Sequence, residues 1–213
     1  MQKIDKKALI AIQDLVSVPP PRVALMGGSF DPPHLGHACL ALSVLSSGET
    51  DEIWVLPCAN HPAGKPLQPL HQRVHMCELA FRHLQPQTKV LPIEKFLPTP
   101  SFTAQTLKVL MSLYPKTRFD WIIGTDLLSQ LPTWMDSQWL AAQVRFLAVG
   151  RQGFSEQRAP NGFDIHSFYG VEIPNLASQD IRQQIAKNPL RVDGLDKAVM
   201  GYILEKMLYQ NKC

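Results

Sequence analysis

The sequence predicts an α/β fold: an open, doubly wound, mainly parallel sheet with flanking helices, plus a short extra N-terminal helix. Three observations lead there. Apolar runs and helix-period segments alternate along most of the chain. Several strand candidates, such as Trp121-Ile122-Ile123 and Phe146-Leu147-Ala148-Val149, are continuously apolar, as strands are when crossover helices cover both faces. The first strand, Val23-Ala24-Leu25-Met26, runs directly into Gly27-Gly28 and a helix start. In such sheets ligands bind beyond the carboxyl ends of the strands.

The elements follow in order. Residues 3–18 place Ile4, Ala8, Ala11, Ile12 and Leu15 at near-helical spacing, and Pro19-Pro20-Pro21 stops the helix. The expected division is 1–21, a helical extension with its proline linker, and 22–213, the main domain. The extension's apolar stripe is a candidate contact with that domain or with a second subunit of a homo-oligomer. Strands are expected over Arg22–Met26, Glu52–Pro57, Lys89–Pro92, Arg118–Ile123, Arg145–Val149 and Gly170–Ile173. Helices are expected over Gly36–Ser46, Leu70–Leu84, Phe102–Leu113, Ser178–Ala186 and Asp196–Tyr209. Pro- and Gly-rich connections lie at Cys58–Pro69, Leu97–Pro100 and Gln152–Gly162. The first and third follow strands and are expected to border the binding crevice.

The composition narrows the function classes. Of 213 residues, 45% are hydrophobic and 18% charged, enough apolar material for a sizeable core in one domain. A net charge of +3 suits an anionic small molecule and is too weak to indicate nucleic acid. Cys39, Cys58, Cys77 and Cys213 form no CxxC pair, which points to free thiols rather than a disulfide or zinc framework. No run of about 18 apolar residues marks a membrane span. Gln13 and Asp14 interrupt the N-terminal apolar run too early for a signal peptide. A cytoplasmic location is expected.

The chemistry concentrates in Gly27-Gly28-Ser29-Phe30-Asp31-Pro32-Pro33-His34-Leu35-Gly36-His37. Two histidines three apart invite a metal reading, but zinc needs three or four ligands, and neither an HExxH nor a Cys/His cluster accompanies them. No metal ligand is assigned. His71 and His75 flank Arg73, which would repel a cation, and are read as surface or loop-contact residues. The alternative for His34 and His37 is phosphate. A helix start directs N–H groups and partial positive charge at an anion. Imidazoles there can donate to a phosphoryl oxygen whose charge grows in the transition state.

The whole GGSFDPPHLGH segment resembles the GxFDPxHxGH motif of the nucleotidyltransferase superfamily, whose members have Rossmann-like sheets. Across residues 22–209 the chain is most similar to bacterial nicotinate-nucleotide adenylyltransferases. Four more segments carry that likeness: Ser101-Phe102-Thr103-Ala104-Gln105-Thr106-Leu107; Ile122-Ile123-Gly124-Thr125-Asp126 with Leu131-Pro132-Thr133-Trp134; Val149-Gly150-Arg151-Gln152-Gly153; and Leu176-Ala177-Ser178-Gln179-Asp180-Ile181-Arg182. The resemblance implies adenylyl transfer from ATP, with Mg²⁺, to nicotinate mononucleotide. ATP and a pyridine mononucleotide are then the partners.

It also implies roles. His34 and His37 would hold the α-phosphate and pyrophosphate oxygens as catalytic groups. Gly27, Gly28, Ser29, Phe30, Gly124 and Asp126 would bind ATP. Ser178, read as an N-cap, and Arg182, one turn further on, would join them at the triphosphate. Asp31, Lys65, Phe102, Thr103, Trp134 and Arg151 would form the acceptor side, with Trp134 stacked on the pyridine ring. Three departures stand out. Pro62-Ala63-Gly64-Lys65 replaces a PPHK-like loop, leaving Lys65 with His61 as a neighbouring substitute. Ala177 and Gln179 replace hydroxyl residues, and Phe102 replaces a tyrosine. Nicotinamide mononucleotide or phosphopantetheine as acceptor, and a weakly catalytic nucleotide-binding protein, are the alternatives these departures leave open.

Overall fold

The computed structural model describes residues 4–153 and 159–210, without the side chains of 169–171. Its centre is a sheet of six strands among the described residues: β1 (Arg22–Gly28), β2 (Glu52–Pro57), β3 (Thr88–Val90), β4 (Arg118–Gly124), β5 (Arg145–Arg151) and β6 (Asp164–Ile173). The order is β3-β2-β1-β4-β5-β6, and every pairing is parallel. After β1 the chain builds outward in one direction to β3, then returns to the other side of β1 as β4. The crevice between β1 and β4 is thus the topological switch point, where doubly wound sheets bind ligands.

Alternation along each strand sends side chains to two faces. Val23 and Leu25 of β1, with Trp54 and Leu56 of β2 and Trp121 and Ile123 of β4, belong to one core. Ala24 and Met26, with Ile53, Val55 and Ile122, belong to the other. The first core is covered by α1 (Lys6–Leu15), α4 (Thr103–Leu113) and α5 (Ser137–Gln143); the second by α2 (Leu35–Ser46) and α3 (Leu70–Phe81). A third cluster joins Met76 of α3 to α6 (Ser178–Lys187) and α7 (Lys197–Glu205) through Ile181, Ile185, Val199 and Ile203.

The N-terminal segment is bound into this body. Ile12 and Val16 lie in the first core, and the Tyr114 hydroxyl donates to the Val16 carbonyl at 2.6 Å. The proposed boundary at 21/22 is a change of element without a break in the core.

Several expected bounds shift. The helix expected over Leu70–Leu84 tightens into a 3₁₀ turn at Arg82–Leu84. The last helix ends at Glu205 rather than Tyr209, with Asp196 as its N-cap accepting the Ala198 N–H at 2.7 Å. The last strand begins at Asp164, six residues before the expected Gly170. Its polar start, Asp164-Ile165-His166-Ser167, fits a sheet edge and hid it from an apolar-run reading. Helix α5 and the 3₁₀ stretch Thr125–Thr133 were not expected. Residues 154–158 of the Gln152–Gly162 connection, and Cys213, lie outside the described residues; Cys39, Cys58 and Cys77 are free thiols.

Candidate active site

A cavity of about 590 Å³ opens beyond the carboxyl ends of β1 and β4, against the start of α2 and the segments after β2 and β4. The sequence dictates its floor. A Cβ on Gly27 would lie 2.5 Å from the Trp121 indole, so glycine is required at 27 for a large neighbouring ring as well as for an open backbone.

The histidines meet, but unequally. His34 is the N-cap of α2 and His37 its third residue. Their ring centroids are 3.8 Å apart. His37 lines the cavity; His34 stacks behind it and is 5% exposed. The His34 backbone N–H donates to His37 Nδ1 at 3.2 Å. A neutral His37 therefore carries its proton on Nε2, leaving that N–H free for a ligand. Gly36 makes room for the arrangement: a Cβ there would stand 3.0 Å from His34 Nδ1. Burial, and then the positive charge of Arg151, hold the His34 imidazole down at about 4. His37 is held well below its ordinary value by burial, His34 and Arg151, in that order. Both rings are neutral at pH 7 in the free protein.

Other expected residues fall into three groups. Gly27, Gly28, Ser29, Phe102, Thr103, Gly124, Asp126, Trp134 and Arg151 join His37 around the cavity. Arg151 Nη1 donates to Asp126 Oδ2 at 2.8 Å, and Arg151 also reaches the Leu176 carbonyl. Asp126 Oδ1 is buried without a partner. Trp134 stands edge-on to Phe146, ring centroids 6.4 Å apart.

Phe30 and Asp31 are buried beside the site rather than in its wall. Phe30 packs on His37, centroids 4.9 Å apart, and on Phe81. Asp31 accepts from the Tyr209 hydroxyl. A third group stands away. Lys65 is exposed and off the cavity wall. Ser178 is the first residue of α6, whose N-cap is Ala177. Its hydroxyl donates to the Pro32 carbonyl at 2.9 Å, and Arg182 donates to the Asp31 carbonyl at 2.7 Å. The two side chains thus hold the loop that delivers His34. The N-cap expected at Ser178 is corrected to Ala177, because the hydroxyl is committed to that loop.

Cys58, Glu94 and Ser101 are among the wall residues that carried no role in the sequence reading. His61, noted there only as a substitute, lines the cavity as well. Behind them Arg73, which had seemed only a neighbour of two surface histidines, is 1% exposed.

A switch-point cavity with an imidazole N–H free at a helix start is built for chemistry at a nucleotide phosphate. A family model described as cytidylyltransferase-like matches residues 25–185. A Myxococcus xanthus (strain DK1622) protein named "Probable nicotinate-nucleotide adenylyltransferase" is 32% identical over 191 residues, 90% of this chain and 96% of that one. A protein of the same name from Anaeromyxobacter dehalogenans (strain 2CP-1 / ATCC BAA-258) is 36% identical over 192 residues, 88% of this chain and 96% of that one. In fold, the chain is similar to the Plasmodium falciparum nicotinic acid mononucleotide adenylyltransferase complexed with NaAD. The TM-score is 0.76 at 21% identity, over 89% of this chain and 98% of that one. The chain belongs to the cytidylyltransferase-like family and, within it, to the nicotinate-nucleotide adenylyltransferases.

Proposed function

We propose that the protein transfers the adenylyl group of ATP to nicotinate mononucleotide, giving nicotinate adenine dinucleotide and pyrophosphate. The observation that carries this reading is the free Nε2–H of His37 on the cavity wall, fixed by the His34 backbone. In the reaction a phosphate oxygen of the mononucleotide forms a bond to the α-phosphorus. The bond from that phosphorus to the bridging oxygen breaks, and pyrophosphate leaves with the electron pair. The attacking phosphate is already an anion, so the protein needs no general base. Its work is positioning and stabilisation of the oxygens that gain charge.

His37 would donate to those oxygens, with His34 stacked behind it to keep the ring in place. Gly124 and Asp126 would meet the adenosine, the free Asp126 Oδ1 being an acceptor suited to a ribose hydroxyl. Trp134, Phe102 and Thr103 would face the pyridine ring. Among the described residues no group of three His, Cys, Asp or Glu side chains could hold a metal ion. Magnesium would enter with ATP, carried on its phosphates. Ser178 and Arg182 would serve the triphosphate indirectly, through the loop they hold. Among the described residues no helix is long and apolar enough to cross a membrane. From the likeness to bacterial nicotinate-nucleotide adenylyltransferases, we propose that the reaction takes place in the cytoplasm.

The test is turnover of the purified protein with ATP and Mg²⁺ against nicotinate mononucleotide, nicotinamide mononucleotide and phosphopantetheine, following pyrophosphate and dinucleotide. We expect the highest kcat/KM with nicotinate mononucleotide. ATP binding with no pyrophosphate release would overturn the proposal. His37→Ala should lower kcat by about 10²- to 10³-fold, the usual cost of removing a donor to a developing oxyanion.

A further inference from the structure

Two charged side chains are buried where the mechanism above makes no use of them. Arg73 on α3 is 1% exposed and Glu94, in the 3₁₀ turn Ile93–Phe96, is 4% exposed. They form no ion pair with each other. An unpaired buried charge is costly unless hydrogen bonds replace its water. Arg73 finds part of them on one short stretch of chain, Cys58–Asn60, where the path leaves β2, and Glu94 lies beside the same stretch.

Arg73 takes the carbonyl side. Its Nη2 donates to the Cys58 carbonyl at 2.7 Å and, more weakly, to that of Ala59 at 3.5 Å. Nη1 reaches the Ser29 carbonyl at 2.8 Å, and Nε that of Gln68 at 2.8 Å. The fork thus ties the exits of β1 and β2 to the residues before α3.

Glu94 takes the other side. Burial pushes its carboxyl up, while the Ser101 hydroxyl, the Ala59 N–H and the Thr106 hydroxyl favour the charged form. The Thr106 hydroxyl donates to Oε1 at 3.3 Å; Oε2 has no partner of good hydrogen-bond geometry. Ser101 Oγ in turn accepts the Ala59 N–H at 3.1 Å, and the Ser101 N–H donates to the Asn60 carbonyl at 3.1 Å. One network therefore fixes both the segment leading to His61 and the segment leading to Phe102 and Thr103. Those two segments are neighbouring walls of the cavity.

We infer that Arg73 and Glu94 are positioning residues for the acceptor: Arg73 grips the Cys58 and Ala59 carbonyls, Glu94 backs the Ser101–Thr106 segment that bonds Ala59 and Asn60, and together they set the His61–Ala63 and Phe102–Thr103 walls at the spacing the pyridine mononucleotide needs. This inference rests on the adenylyl-transfer reading for what occupies the cavity. The grip itself is a property of the chain alone.

The decisive variant is Glu94→Gln, which keeps shape and removes the carboxyl group; Arg73→Lys is its counterpart and removes the fork. Steady-state kinetics should show KM for nicotinate mononucleotide raised about tenfold or more in each, with KM for ATP within about twofold and kcat falling less than KM rises. Amide hydrogen exchange gives a readout independent of turnover. Ala59, Asn60 and Ala63 should exchange faster in Glu94→Gln, while Met26 and Val55 inside the sheet stay protected. Equal rises in both KM values, or exchange that is unchanged or faster throughout, would overturn the inference. If the parent protein shows no turnover, the function reading fails and exchange alone decides the grip. If Arg73→Lys does not fold, Glu94→Gln carries the test.

Discussion

At the scale of single residues, the histidine pair was legible because its neighbours were diagnostic as well as its chemistry. Gly36 within it is required by the His34 ring. The division of labour within the pair was not legible. Only the fold shows that His37 reaches the cavity while His34 is a buried support. Arg73 and Glu94 were equally silent, because a buried charge held by backbone carbonyls and amides leaves no pattern of spacing. The burial of His34 has a measurable consequence. Its imidazole sits at about 4, against 6.5 for an unhindered one, through burial first and Arg151 second. Between those values the unfolded chain binds the proton and the folded chain does not. Stability thus rises with pH across that window and is lost as pH falls through it. A shift of that size corresponds to roughly 3 kcal/mol for a single group. His34→Asn, which keeps a capping side chain, should flatten the pH dependence of Tm between about pH 4 and 6.5. An unchanged slope would mean that His34 is charged in the folded protein.

At the scale of elements, the legible parts were those with strong periodicity or unbroken apolar runs. Strands β1, β2, β4 and β5 fell where expected because both of their faces are buried. Strand β6 pairs only with β5 among the described residues and begins with polar side chains, so its first six residues were missed. The stretch from Thr125 to Thr133 lacks helical patterning and contains Pro132, yet it buries Leu128 and Leu131 against the first core. The N-terminal helix was expected to meet either the main domain or a second subunit, and its stripe packs into the domain's first core. Its packing is specific: Ile12 is 1% exposed, and α1 rests on the 3₁₀ turn that carries Glu94. Ile12→Ala should therefore cost about 2–5 kcal/mol, the range for truncating a buried aliphatic side chain. Urea unfolding measures it as a lower midpoint at unchanged slope. A loss below about 1 kcal/mol would make α1 an appendage resting on the surface.

At the scale of the whole molecule, a doubly wound parallel sheet was legible from the alternation of strands and helices, but its strand order, its switch point and the long-range ties that finish the site were not. The segment around His34 is held in large part from the far end of the chain. Ser178 and Arg182 take the carbonyls of Pro32 and Asp31, the Leu35 N–H donates to the Gly194 carbonyl at 2.8 Å, and the Tyr209 hydroxyl donates to Asp31 Oδ1 across 178 residues. Sequence resemblance assigned Ser178 and Arg182 to substrate because they stand in a shared motif. The fold gives them a second reason to be there, which no local pattern encodes. Tyr209 is the clearest test of this clasp. The Gln68 N–H is the other donor to Asp31 Oδ1, at 3.4 Å and weak. Removing the hydroxyl leaves a carboxylate that is 4% exposed short of its main hydrogen bond. Tyr209→Phe should lose about 1–3 kcal/mol of stability, and kcat should fall several-fold with it as the His34 loop loosens. Asp31→Asn removes the same bond's ionic character from the other side. If the bond is the link, the double variant is little worse than the poorer single one, and a double-mutant cycle by chemical denaturation returns a coupling of about 1 kcal/mol or more. Strictly additive losses would show that Tyr209 and Asp31 stabilise the fold separately, and that the C-terminal segment does not set the geometry of the histidine loop through this contact.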